Sequence, residues 1–269
     1  MVDHTLVKLG KKPAKRDPRI LRLSKYFLPS LPLPPDNCDN TGDVKQFGMM
    51  LNDQLGDCTI AAVGHAEQIW SIAANGPASM YTPPDNIILN KYCQWCGYVP
   101  GDPSTDQGGV EIDVLNDWHK YRLAHHRHRL DGYADPDPTN LEHVKQAIYL
   151  FGLVYIGLQL PLTVQWKQVW NVSNANGPNA VPGSWGGHAV VVVGYRTNAD
   201  GTITFTCISW GELYEITQAF WLYNDRMAGP YVDEVHALVA PEFLNATTRR
   251  TPEGLDMATM LEDVKLLAA

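Results

Sequence analysis

Cys58 has the strongest sequence context for nucleophilic chemistry in this chain. It follows Asp57 and precedes apolar residues spaced three and four apart over residues 60–73, a run that ends at Asn75-Gly76-Pro77. This pattern predicts an amphipathic helix that Asp57 caps and that begins near the cysteine. The dipole and free N–H groups of a helix N-terminus stabilise a thiolate, which is the nucleophilic form of cysteine.

His188 is the candidate base for this thiol. It follows Gly186-Gly187 and precedes the run AVVVVGY at 189–195, which predicts a strand. A nucleophile and a base on different elements suit acyl transfer. Taken singly, each residue also has an ordinary interpretation, because free cysteine is often a core residue. A lone histidine at a strand edge is often only a surface residue.

The elements that must position these two residues change character near Leu153. Before it, apolar spacings predict helices around 110–118 and 141–151, the second of which stops at Gly152. After it, segments rich in β-branched and aromatic residues predict strands at 153–160, 189–195, 202–208 and 216–223. A helical half followed by a strand half indicates an α+β fold with a cleft between two unlike lobes.

Charge is unevenly distributed along the 269 residues. The formal net charge is -8, but residues 1–25 carry eight Lys or Arg against two Asp, a net of +6 that leaves -14 on the remainder. The acidic body argues against specific nucleic-acid binding. The basic arm is expected to dock on an acidic partner or on its own body through apolar residues at 20–27, although a solvated or removable segment has the same composition.

The chain contains no run of the ~20 apolar residues that a membrane span needs, and no apolar core follows its basic N-terminus. We therefore expect no membrane association and a cytoplasmic location, or a virion if a phage encodes the chain. Five cysteines favour a reducing compartment over a disulfide framework.

A zinc site is a weaker alternative for the cysteine and histidine residues. Cys93 and Cys96 form one CxxC pair, and His125, His126 and His128 follow, but their spacing matches no common zinc pattern. Two buried helix residues, or a local redox pair, explain the cysteines better. We expect neither a metal nor an organic cofactor.

Five segments resemble those of the papain-like cysteine peptidases, in the order of that family. LGDCTIAA at 55–62 is similar to the family's active-site helix start, most of all the calpain version, and GGHAVVVVGY at 186–195 is similar to the strand with the catalytic histidine. The remaining three are QGGVEIDVLNDW at 107–118, LEHVKQAIYLFGLVYIGLQL at 141–160 and SWGELYEI at 209–216. The pattern also looks like uncharacterised papain-like proteins of bacteria and their phages.

The resemblance implies a papain-like domain over 44–245, with a helical lobe at 44–140 and a mostly antiparallel β lobe at 141–245. An arm and a Pro-rich strap are expected over 1–43. Residues 246–269 are expected to form an amphipathic helix packed on the body.

The resemblance also implies roles for individual residues. Cys58 is the nucleophile and His188 is the base, then the acid toward the leaving group. Asn52, or Gln54 close by, is the oxyanion donor beside the Cys58 N–H. The substrate-binding residues are expected to be Gly109, Trp185 and Gly187.

Two positions depart from the family pattern. Ile208 stands where an asparagine orients the catalytic histidine, and Thr59 stands where a tryptophan follows the cysteine. An alkyl side chain cannot hold the imidazole in one tautomer, and loss of an orienting group can reduce the rate by several powers of ten. Either another acceptor holds His188, or the activity is slow, or the fold serves for binding. Two hypotheses follow: a peptidase or isopeptidase that acts through a Cys-His pair on a protein or peptide, or a degenerate papain-like module with a structural or binding role.

Overall fold

The computed structural model describes residues 7–27, 31–124, 129–173, 177–240, 251 and 257–268. The predicted cluster of His125, His126 and His128 lies outside these residues. The helices are α1 (Cys58–Asn75), α2 (Asp85–Cys96), α3 (Glu111–Tyr121), α4 (Leu141–Phe151), α5 (Gln218–Trp221) and α6 (Ala258–Ala268). The strands are β1 (Leu21–Arg22), β2 (Asn37–Asp39), β3 (Gly132–Asp135), β4 (Val154–Leu160), β5 (Val169–Trp170), β6 (Gly186–Thr197), β7 (Ile203–Ser209), β8 (Glu212–Thr217), β9 (Asn224–Asp225), β10 (Gly229–Pro230) and β11 (Val232–Val239).

A mixed sheet connects the two halves of the chain. Its order is β1-β3-β11-β4-β6-β7-β8-β5, and β2 also pairs with β6. Neighbouring strands run antiparallel except for two parallel pairs, β1 with β3 and β5 with β8. Helices α1, α2 and α3 precede most of the sheet. The predicted α+β class with a mostly antiparallel β lobe is confirmed.

Strand β6 separates two hydrophobic cores. Its alternate residues Val190 and Val192 belong to the core of the β lobe, whereas Val191 and Val193 belong to the core built by α1, α2 and α3. Successive side chains of a strand point to opposite faces, so a continuous apolar run is what a strand buried on both sides requires. The first residues of β6 therefore lie where the two lobes meet.

Helix α1 is a central helix rather than an amphipathic one. Of its 18 residues, 14 are buried, because the helix packs against both its neighbouring helices and β6. The predicted cap is also wrong: the Asp57 side chain makes no capping hydrogen bond. The predicted stop is confirmed, since the helix ends at Asn75 and Gly76 has a φ of 82°.

Three further elements differ from the sequence expectation or refine it. Residues 218–221 form α5 instead of continuing a strand, because the Thr217 side chain caps that short helix by accepting from Phe220 N–H at 3.2 Å. Strand β11 was not predicted and lies between β3 and β4. The expected terminal helix is seen as α6, and Tyr26 donates a hydrogen bond to its Asp263 at 2.7 Å. None of the described helices is long and apolar enough to cross a membrane.

Candidate active site

Cys58 is the first residue of α1 and is almost completely buried, with 1% of its surface exposed. Burial raises the pKa of its thiol to about 12, and this effect outweighs the backbone N–H groups of Ala189 and Gly10, which lower the pKa. The helix start alone therefore does not produce a thiolate. In this arrangement the sulfur carries its proton.

His188 is the third residue of β6 and is equally buried. Burial is the main cause that lowers the pKa of its imidazole to about 3, so the ring is neutral. The ring stacks on Trp210 with centroids 4.4 Å apart and planes 16° from parallel. Its Nε2 lies 2.8 Å from Ser209 Oγ.

Ser209, and not the residue before it, orients the histidine. The Ser209 hydroxyl bonds Nε2 and so holds the ring in place, which is the role that the sequence comparison assigned to the position of Ile208. Ile208 is fully buried in the helical-lobe core, on the opposite face of β7. Of the alternatives that the sequence left open for His188, the structure favours another hydrogen-bond partner, which is Ser209.

The other ring nitrogen, His188 Nδ1, has no hydrogen-bond partner among the described residues. A hydrogen bond between Nδ1 and Cys58 is thus not formed in this structure. The N–H of Ala189, the residue after His188, lies against the Cys58 sulfur, so the start of β6 is adjacent to the start of α1. A nucleophile and base often make loose contacts before substrate binds.

The loop before α1 contains the two predicted oxyanion donors. Asn52 is buried, and its Nδ2 donates to Leu55 O at 3.1 Å and to Asp57 Oδ1 at 3.2 Å, so both amide hydrogens have partners inside the loop. Gln54 is exposed to solvent. Met50 and Leu51 have φ values of 53° and 68°, which are unfavourable for residues with a side chain and occur most often at functional sites.

An extended segment of the chain's own arm, residues 7–12, occupies the groove above these residues. The N–H groups of Gly10 and Lys11 donate to Gly187 O at 3.2 and 3.0 Å. Gly109 receives Lys12 N–H at 2.8 Å and donates its own N–H to Gly10 O at 2.8 Å. Two of the residues expected to bind a substrate backbone thus bind the backbone of this arm.

Gly10 lies so close to the helix start that no other residue fits. A Cβ atom added there would lie 1.7 Å from Gly56 O, well inside van der Waals contact. The amide N–H of Gly10 lies against the Cys58 sulfur, so this part of the arm covers the thiol.

Tryptophans form the wall at the Lys8 end of the arm segment. Trp210 donates from Nε1 to Lys8 O at 3.2 Å, and Lys8 N–H donates to Asn52 O at 2.9 Å. Trp185, predicted to line the groove, is partly buried with its ring centroid 5.6 Å from that of Trp210. Trp210 was not among the predicted site residues, although the Ser-Trp-Gly segment that contains it was recognised.

An acidic pocket, formed by Glu111, Asp233 and Glu234 with Gly157 beside them, receives the side chain of Lys11. Lys11 Nζ lies 2.9 Å from Asp233 Oδ2 and 2.8 Å from Glu234 Oε2. Burial opposes the charge on the ammonium group, but the three carboxylates outweigh burial and raise the pKa of Lys11. The sequence did not predict this pocket, because its acids come from residues more than 120 positions apart.

Ligand atoms of Glu111, Glu234 and His236 lie within 4.8 Å of one another, a spacing that a metal ion could bridge. The ammonium of Lys11 lies 2.8 Å from Glu234 Oε2, so a cation of the chain itself already contacts this cluster. Cys93 and Cys96 are both free thiols, and within the described part of the chain they join no such cluster.

Comparisons with known proteins agree with this geometry at the level of the fold. No family model and no curated protein matches the sequence. Similar solved structures include xylellain, a cysteine protease from Xylella fastidiosa, at 14% identity with a TM-score of 0.61, covering 87% of this chain and 97% of that one. Digestive procathepsin L 3 from Tenebrio molitor is 13% identical with a TM-score of 0.57, covering 88% and 77%.

A third similar structure is the ragweed pollen cysteine protease Amb a 11 in its proform. It is 15% identical to this chain with a TM-score of 0.52, and the match covers 79% of this chain and 68% of the other. The expected closeness to phage-encoded proteins stays a prediction. The described chain thus has the papain-like α+β fold that these cysteine proteases share.

Proposed function

We propose that this protein is a cysteine-dependent hydrolase, a peptidase or isopeptidase, that its own N-terminal arm keeps latent. The observation that carries the proposal is the arrangement at the groove. A thiol at a helix start and an imidazole held by Ser209 flank a groove whose backbone groups already bind an extended chain. A protein with only a structural role does not require a cysteine, an oriented histidine and a peptide-binding groove in one place.

Latency follows from the buried state of both reacting groups. With the arm in place, the Cys58 thiol is protonated and His188 is neutral. Departure of the arm admits water, which removes the desolvation that raises the thiol pKa and leaves the helix dipole to lower it. Two of the similar structures are described as a procathepsin and a proform, which is the same kind of state.

Once the arm has left, the site can hydrolyse a peptide bond in two steps, acylation of Cys58 and hydrolysis of the thioester. His188 takes the thiol proton, the Cys58 sulfur attacks the substrate carbonyl carbon, and the carbonyl oxygen becomes an oxyanion beside the Cys58 N–H and the 52–54 loop. The imidazolium then gives its proton to the leaving amine as the C–N bond breaks and a thioester forms. His188 next removes a proton from water, which attacks the thioester, and the acid product leaves as the thiol re-forms.

The test is hydrolysis of fluorescein-labelled casein by the full chain with Gly10→Ala, a change in the arm that collides with Gly56 O. We expect activity that disappears when Cys58→Ala or His188→Ala is added. The native chain should show little activity. An inactive Gly10→Ala chain whose thiol is accessible to alkylation would refute the hydrolase.

The second candidate function is a papain-like module that binds without cutting. The unpaired Nδ1 of His188 and the protonated thiol favour it. In that case the released groove would bind extended peptides, and replacing Cys58 by alanine would leave their affinity unchanged.

A further inference from the structure

The acidic pocket of Glu111, Asp233 and Glu234 is more than the anchor of the arm. Its three carboxylates come from α3 and from the start of β11, and two of them are almost completely buried. Removing charges from water is costly unless a partner of opposite charge compensates for it. Lys11 supplies one positive charge to this group, and its side chain is completely buried within it.

Glu111 adds a fully buried carboxyl group to the pocket. Both of its carboxylate oxygens lack a hydrogen-bond partner among the described residues, and the residue is fully buried. Among the described residues, His236 lies within ion-pair distance of Glu111: its Nε2 is 3.7 Å from Glu111 Oε2, and its Nδ1 is 2.6 Å from Asp135 Oδ1. Without Lys11, Asp233 and Glu234 would lose their ion-pair partner, and Glu111 would remain a buried acid whose pKa burial raises well above its ordinary value.

Gly157 shapes the pocket for an unbranched amino side chain. A Cβ added at this glycine would lie 2.2 Å from Lys11 Cε and 2.8 Å from both Glu111 Oε1 and Asp233 Oδ1. The absence of a side chain therefore opens the space that the end of the lysine fills. Gln159 supports the far wall by donating from Nε2 to Asp233 Oδ2 at 2.7 Å.

The pocket also lies beside the backbone positions of the groove. Lys11 and its neighbour Lys12 are the residues whose backbone pairs with Gly187 and Gly109. A peptide that replaces the arm in the groove would place one of its side chains at the same entrance. Groups that are left unpaired by a wrong ligand discriminate more strongly than missing apolar contact.

We infer that this pocket is a specificity site that selects a lysine side chain in any peptide or protein that replaces the arm. This inference rests on the proposed function only in so far as the bound peptide is a substrate. The preference for lysine in binding can be measured without hydrolysis. A neutral or acidic side chain is rejected because it leaves buried carboxylates uncompensated. Arginine is disfavoured because its planar guanidinium is larger than the ammonium that fits beside Gly157.

The binding test uses the full chain with Gly10→Ala, Lys11→Ala and Cys58→Ala, so that the arm is released and nothing is cut. The probe is a fluorescein-labelled peptide with the sequence of residues 7–14, measured by fluorescence anisotropy. Replacing its lysine at position 11 by norleucine should weaken binding about a hundredfold, since two charge-assisted hydrogen bonds are lost. Replacing the lysine at position 8, whose side chain is exposed in the structure, removes the same charge and should change binding less than threefold.

Variants of the pocket provide the second arm of the test. Asp233→Asn should abolish most of the preference for lysine over norleucine, whereas Asp43→Asn, at an exposed acid, should leave it intact. A stability readout covers variants that fold poorly: Lys11→Ala alone should lower the melting temperature, and propylammonium should restore it where propanol does not. Equal binding of the lysine and norleucine peptides, or no binding of either, would overturn the inference.

Hydrolysis separates this inference from the proposed function. With Cys58 restored, selective binding without cleavage would leave the lysine pocket standing and refute the hydrolase. Cleavage that is indifferent to lysine would refute the pocket and leave the hydrolase standing.

Discussion

Replacing Gly10 by alanine should expose Cys58 without unfolding the protein. The added Cβ would lie 1.7 Å from Gly56 O and 2.3 Å from Gly56 C, where ordinary contacts need at least about 3.4 Å. Gly56 cannot retreat easily, because it lies only two residues before the first residue of α1 and its N–H donates to Asp106 Oδ1 at 3.0 Å. The arm, which is not part of the packed core around α1, must move instead.

The size of the effect follows from the hydrogen bonds that this movement breaks. A shift of more than an ångström separates Gly10 N and Lys11 N from Gly187 O, and Gly109 N from Gly10 O. At about 1 kcal/mol for each of the three bonds, the arm loses about 3 kcal/mol of docking free energy. Since 1.4 kcal/mol is a factor of ten, the population with the arm out of the groove should rise about 150-fold.

The assay is the rate of Cys58 alkylation by iodoacetamide, followed by mass spectrometry at several pH values. In the native chain the rate should be low and should rise steadily with pH through 9, because the thiol pKa is raised to about 12. In the Gly10→Ala chain it should be about a hundredfold faster at pH 7, with a plateau at lower pH. Partly exposed Cys93 serves as the internal reference, and Lys8→Ala, at an exposed side chain of the same arm, serves as the control.

Two results would show that this reasoning is wrong. If the Gly10→Ala chain keeps its melting temperature and Cys58 still reacts as slowly as in the native chain, the arm is not what covers the thiol. If Cys93 becomes faster by the same factor as Cys58, the variant has loosened the whole domain and not the arm.

Three further changes test the site and the core. Ser209→Ala in the Gly10→Ala chain should slow alkylation of the thiol about tenfold or more, because His188 loses its orienting partner, whereas Ser209→Thr keeps a hydroxyl and should retain most of the rate. Ile208→Asn should not raise reactivity and should lower the free energy of unfolding in urea by about 3 kcal/mol, since it puts an amide into an apolar core; a gain in reactivity would contradict the assignment of Ser209. Burial lowers the pKa of His65 to about 4, so the unfolded chain binds a proton below pH 6.5 that the folded chain does not, and stability falls as pH drops toward 4. His65→Gln, which can keep the hydrogen bond to Gly48 O, should therefore lose about 2 kcal/mol less than the native chain between pH 7 and 5, and equal losses in urea unfolding would contradict this.

Local sequence was sufficient to predict a helix or a strand wherever the periodicity of a single segment determines it. The stop of α1 at Gly76, the end of α4 at Gly152 and the buried strand β6 were all predicted from spacing and from glycine conformation. Helix α5 was missed because four residues are too few to show a helical period that would distinguish them from the end of a strand. The cap on α1 was wrong because Asp57 is buried, and its carboxylate accepts from Asn52 instead of from the helix.

Which residue holds His188 depended on the register of two strands. Ile208 and Ser209 are adjacent in sequence, but adjacent strand residues point to opposite faces, so only one of them can reach the imidazole. Sequence comparison showed that Ile208 cannot hold the ring and left its partner open. The pairing of β7 with β6 decides the matter, and no local pattern encodes that pairing alone.

The sequence by itself determined the papain-like order of helices and strands, and it placed a cysteine at a helix start and a histidine at a strand start. These features depend on spacing and on the conformational preferences of neighbouring residues, which a linear chain displays directly. Only the tertiary structure decided that the arm occupies the groove, that Lys11 meets Asp233 across 222 positions, and that the thiol is protonated. Burial and contact between distant segments set these properties, because desolvation and Coulomb energy depend on what surrounds a group in space and not on its neighbours in sequence.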